Sequence, residues 1–142
     1  MVGRRIVSVS AAVVAISALV GLADLVLPAL GGVATAVSLT WFLVSLPVWV
    51  VAFLLVLARS TRGDDIAVAS WVFLAAGAAP PAVRRRLLGA FAVSVGVAAV
   101  TCWADPFAVL VPMLPLGLAA LWGARYGEFP VQRGVGVRGS RP

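Results

Sequence analysis

Residues 40–59 read TWFLVSLPVWVVAFLLVLAR, an apolar run with no charge before Arg59. Wound as a helix at about 1.5 Å per residue, it matches the ~30 Å hydrocarbon core of a bilayer. Working outward from it, three further stretches have the same character, so the sequence predicts four transmembrane helices at about residues 6–27, 40–58, 87–103 and 107–124. Their many β-branched valines favour strands in water, but backbone groups in hydrocarbon must bond within their own segment, and that selects the helix. The fold class is all-α, a polytopic membrane protein.

The composition agrees. Of 142 residues, 63% are hydrophobic and only 11% charged, against about 45–50% and about 25% in ordinary soluble domains. Mean hydropathy is +1.12. A soluble fold of this length leaves much of its surface in water and cannot hide so many apolar side chains; a bilayer removes the need.

The net charge of +6 comes entirely from arginine, because Lys and His are absent. Asn is absent too, and the pairing of missing Lys and Asn with abundant Ala, Val, Gly and Arg points to a bacterium of high GC content. The arginines stand beside the apolar runs, a placement that serves membrane orientation and headgroup binding and excludes a nucleic-acid partner. Arg4 and Arg5 precede the first run; Arg59, Arg62 and Arg84 to Arg86 lie between the second and third; Arg125, Arg133, Arg138 and Arg141 follow the fourth. An even number of crossings puts all of them on one side. By the positive-inside rule both termini and the middle loop are then cytoplasmic, in a multi-pass protein of the cell membrane.

Punctuation fits these limits. Pro28 and Gly31-Gly32 close the first run, residues 60–63 close the second, and Asp105-Pro106 reads as a helix start with Asp as cap and Pro in the first turn. Residues 66–79 are apolar but too few to span, so they are expected as one short interfacial or re-entrant helix ended by Pro80-Pro81. Pro81 then opens the third long helix. The chain divides into a single transmembrane domain, residues 1–126, and an Arg- and Gly-rich cytoplasmic tail, residues 127–142, expected to be flexible or held loosely on anionic headgroups. Arg4-Arg5 before an apolar run also has the outline of a signal peptide, but the run exceeds the usual 7 to 15 residues.

Trp41, Trp103, Trp122 and Tyr126 fall near run ends, where amphipathic rings favour the headgroup layer, and Trp49 sits mid-run. Asp24 is the one ionisable residue inside a run, and an intramembrane carboxylate is a candidate ion or polar site. Ser10, Ser17, Gly21 and Asp24 recur about every 3.5 residues, which turns Asp24 into the bundle. Arg84, Arg85 and Arg86 are consecutive, so they splay around the helix at about 100° per residue and suit a collar on anionic lipid headgroups. Ala92, Gly96, Gly117, Ala120 and Ala124 are small residues at which helices could approach. Pro47, Pro112 and Pro115 each remove a backbone donor.

Catalysis is not expected. There is no His, no Lys, no Cys-His pair and no phosphate loop, and Cys102 is the single cysteine. No metal and no cofactor are expected. Residues 79–90 (APPAVRRRLLGA), with 106–117 and 121–130, resemble small uncharacterised four-span integral membrane proteins of actinobacteria. The resemblance implies four spans and a cytoplasmic Arg-rich tail, and no activity. Two functions are carried forward: a structural or accessory membrane protein that packs as a homo-oligomer or in a larger membrane complex, and a small transporter or channel using Asp24.

Overall fold

In the computed structural model, which describes residues 3–75 and 77–130, the described residues are mostly helical and none forms a strand. Among the described residues five helices follow in order: α1 Arg4–Val26, α2 Gly31–Ser60, α3 Val68–Val72, α4 Pro81–Thr101 and α5 Met113–Tyr126. Single 3-10 turns, Pro28–Leu30 and Pro106–Leu110, precede α2 and α5. Among the described residues three segments are long and apolar enough to cross a membrane: Arg4–Val26, Pro28–Ser60 and Pro106–Tyr126. In α4 the three arginines take up the first turns, leaving about 15 apolar residues, or ~22 Å.

Two pairs of parallel helices make the bundle. α1 packs mainly along α4, and α2 along α5. α1 and α4 run in the same direction: Val7 shares a core cluster with Leu87, and further on Gly21 meets Thr101. α2 and α5 also run together, with Trp49 Nε1 donating to the Met113 carbonyl and Arg59 Nη1 to that of Ala124. α5 is the central helix. Its span is 61% buried, whereas that of α2 is 11% buried, so α2 presents most of its apolar surface outward.

Several boundaries differ from the sequence reading. The second helix starts at Gly31 and not near residue 40. The proline at 28 accounts for this: it holds Leu27 out of helix geometry and ends α1 by itself, so Gly31-Gly32 are free to open the next helix. Residues 66–79 do not form one helix; only Val68–Val72 is helical. Leu74 and Gly77 have φ of 51° and 80°, which breaks any helix there. Tertiary contact imposes the break. Leu74 is fully buried beside Trp122, and the Trp71 indole donates to the Ala120 carbonyl of α5 at 2.9 Å. Residues 107–124 are a 3-10 turn and then α5, because Pro112 and Pro115 supply no backbone donor.

The aromatic residues also redistribute. Trp103 is 90% exposed, as an interface anchor would be, but Trp122 is core, packed against Tyr126 at 5.7 Å. Trp49 packs inward, edge-on to Trp71 and against Gly117. Gly117, Ala120 and Ala124 are buried contact positions, while Ala92 and Gly96 face outward. Of the tail, residues 127–130 pack back on the connection between α2 and α4: Glu128 N donates to Ala78 O, and Pro130 O accepts from Asp65 N. Residues 131–142, with Arg133, Arg138 and Arg141, lie outside the described residues.

Candidate functional site

The buried polar residues lie at seven-residue intervals. α1 buries Ser10, Ser17 and Asp24; α2 buries Ser38 and Ser45, followed by Ala52; α4 buries Ser94 and Thr101, preceded by Leu87. Seven residues are close to two helical turns, so each series stays on one face of its helix. Most hydroxyls are satisfied by their own helix. Ser17 donates to Val13 O, Ser45 to Phe42 O, Ser94 to Phe91 O and Thr101 to Val97 O. These residues therefore act first as small packing elements; two differ, Ser38, which donates outside its own helix, and Ser10, whose buried Oγ has no partner among the described residues.

At the end of the bundle away from Arg84 to Arg86, the spine becomes more polar. Asp105 is 3% exposed. Its position follows from local chemistry: Asp105 caps the Pro106–Leu110 turn by accepting from Phe107 N at 3.1 Å. The same carboxylate accepts from Ser38 Oγ at 2.8 Å and Thr35 Oγ1 at 3.1 Å, which ties the α4–α5 connection to α2. Three donors satisfy the oxygens of a carboxyl group held away from water.

Asp24 is 4% exposed and makes no side-chain hydrogen bond among the described residues. Its Oδ1 lies 3.5 Å from where a Cβ at Gly31 would stand. Gly31, Thr35 and Ser38 share one face of α2, so the two carboxylates meet the same stripe about one turn apart. Between Ser17, Ser38, Thr101 and Asp105 is a cavity of about 20 Å³, otherwise walled by Val and Ala side chains and by Gly21. That exceeds the ~10–15 Å³ needed for one water. Because these three hydroxyls already donate elsewhere, they have only lone pairs left to offer, so the cavity suits a single small donor and not a passage.

Sequence reasoning placed Asp24 in the bundle and treated Asp105 only as a cap. What it missed was the pairing with Thr35 and Ser38 across about 70 residues of chain. The signal available was the spacing of Ser38 and Ser45, which repeats that of Ser10 and Ser17.

The arginines form no single site. Arg84, Arg85 and Arg86 are exposed at the end of α4 beside Val7, far along the bundle from Asp24. Arg59 has a structural role, in which Nε pairs with Asp64 Oδ2 at 2.8 Å, Nη1 caps the Ala124 carbonyl, and the guanidinium lies 4.9 Å over the Phe129 ring. A cation at the C-terminal end of α5 also complements its dipole. Among the described residues no three His, Cys, Asp or Glu side chains gather as metal ligands. Comparison of the chain with protein families, with curated proteins and with solved structures finds no match.

Proposed function

We propose that this chain is a four-span membrane protein with both termini cytoplasmic, and that it acts as a non-catalytic structural or accessory component, packing against itself or a larger membrane partner. The fourth crossing is α4. It lies alongside α1 in the same direction from Val7 and Leu87 to Gly21 and Thr101, so a bilayer crossed by α1 over that length is crossed by α4 as well. Arg84 to Arg86 then sit in the headgroup layer beside Arg4 and Arg5.

The observation that carries the packing role is on the outer face of α4. Ala92 and Gly96 are exposed one turn apart, and nothing lies within 4 Å of a Cβ built at Gly96. In lipid such a small-residue face lets another backbone approach, which is what drives helices together there. Light scattering of the protein in mild detergent, with cross-linking in cells, tests this. The expected result is a dimer or larger species that Gly96→Ile reduces to monomer; a monomeric wild type with no cross-linked adduct removes the basis of the proposal.

A second reading, a small transporter or channel, is favoured by the buried and unpartnered carboxylate of Asp24. Asp24→Asn in a liposome flux assay decides it: flux that is absent, or unchanged by the substitution, eliminates the reading.

A further inference from the structure

We infer that the trough between α1 and α4 holds one acyl chain of an anionic phospholipid, with its phosphate taken by Arg86. This rests on the proposal that α1 and α4 cross the bilayer. The trough measures about 560 Å³ and is walled by Ala11, Ala15 and Ala18 of α1 and Ala90 and Val93 of α4, with Arg86 at one end. Val7 and Val14 give it a floor, both nearly buried.

The sequence explains the trough. Alanines at positions 11, 15 and 18 fall on one flank of α1, and their side chains are too short to close the gap to the neighbouring helix. Left empty it would forfeit dispersion contacts on every wall, so in a membrane something apolar fills it. Its length fits a lipid chain. From Val7 to Ala18 is ~16 Å of helix rise, close to the ~15 Å depth of one leaflet.

Charge decides between a lipid and a further protein helix. Arg86 is exposed and has no hydrogen-bond or ion-pair partner among the described residues, and no acidic side chain lines the trough. A helix laid along the trough would cover this guanidinium and leave it unpaired. A phosphodiester satisfies it with paired N–H donors and carries its own acyl chain into the groove. Arg4 and Arg5, in the first turn of α1 at the same end, raise the local potential for an anionic headgroup.

The test is native mass spectrometry of the full chain in mild detergent, titrated with phosphatidylglycerol or with phosphatidylcholine of the same acyl chains. The expected result is one retained phosphatidylglycerol and no comparable phosphatidylcholine adduct. Arg86→Gln should weaken retention roughly tenfold, the usual effect of losing one charge-assisted hydrogen bond. Arg62→Gln removes the same charge elsewhere and should change retention little. Ala15→Leu fills the trough with Arg86 intact and should also release the lipid; Ala11→Leu provides the same reading should the first variant not fold. Equal retention of the two lipids, equal losses from Arg62→Gln and Arg86→Gln, or trough-filling variants that keep the lipid and change the oligomeric mass would each overturn the inference. Labelling that reverses the topology while the Arg86-dependent adduct persists overturns only the assignment of sides and supports the lipid site.

Discussion

The bond network at Asp105 makes a quantitative prediction. Its carboxylate accepts from Phe107 N, Ser38 Oγ and Thr35 Oγ1 and is almost fully buried. Asp105→Ala removes the cap, worth about 1 kcal/mol, and deprives a buried Ser38 hydroxyl of its acceptor, a loss held to about 0.6–1.7 kcal/mol in membrane proteins. With Thr35 counted similarly, the cost is ~2–4 kcal/mol. Asp105→Asn behaves differently. Its amide oxygen at the Oδ1 position keeps both the cap and the Thr35 bond, and the Ser38 hydroxyl can rotate to accept from the amide N–H that replaces Oδ2, so the cost falls to ~1 kcal/mol. A double-mutant cycle of Asp105→Ala with Ser38→Ala should give a coupling of about 1 kcal/mol. The assay is equilibrium unfolding in mixed micelles as the fraction of sodium dodecyl sulfate rises, followed by far-ultraviolet circular dichroism. Equal costs for the Ala and Asn variants, or coupling under ~0.3 kcal/mol, would show that the carboxylate does not link α2 to the α4–α5 connection.

Three further outcomes are expected. In a Cys102→Ser background, Ala29→Cys and Ala104→Cys should react with an impermeant maleimide on intact cells, and Ser60→Cys only after permeabilisation; the opposite pattern refutes the topology. Gly123→Ala should destabilise the protein by ~1–3 kcal/mol in the same unfolding assay, because a Cβ there would meet the Trp71 backbone oxygen at 2.5 Å, and backbone cannot move aside as a side chain does. A neutral Gly123→Ala would mean that α3 is not seated on α5. Leu74→Ala should cost ~2–4 kcal/mol through the cavity it leaves. Leu74→Gly should cost no more, because glycine relieves ~1 kcal/mol of left-handed backbone strain at φ 51°; a Gly variant clearly less stable than the Ala variant argues against that strain.

The helices were legible because their cause is local: each is a run of apolar residues ended by proline or charge, and lipid leaves such a run few alternatives to the helix. Pro81 opens α4 and Asp105-Pro106 opens the next turn where the sequence places them. What was not legible depends on distant chain. Nothing near Leu74 in sequence says that its backbone will turn left-handed; the reason is the surface of α5 around Ala119 and Trp122, about 50 residues away. Gly31-Gly32 misled for a related reason. Glycine ends helices when the chain needs a left-handed residue, and here Pro28 had already turned it.

Asp105 shows how much further local reading could reach. In lipid, apolar side chains are alike inside and outside the bundle, so apolar periodicity marks no face and the polar residues carry the information about which surfaces meet. The seven-residue spacing of Ser10, Ser17 and Asp24 identified the inner face of α1, and all three are buried. The same rule applied to Ser38 and Ser45 marks a face on α2, and applied to Ser94 and Thr101 marks one on α4; both faces are buried as well. Three such faces must converge on one axis, and the acid nearest the end of that axis, four residues after Thr101, is Asp105. A polar spine of this kind can therefore locate a buried carboxylate in a connection that hydropathy alone assigns to water.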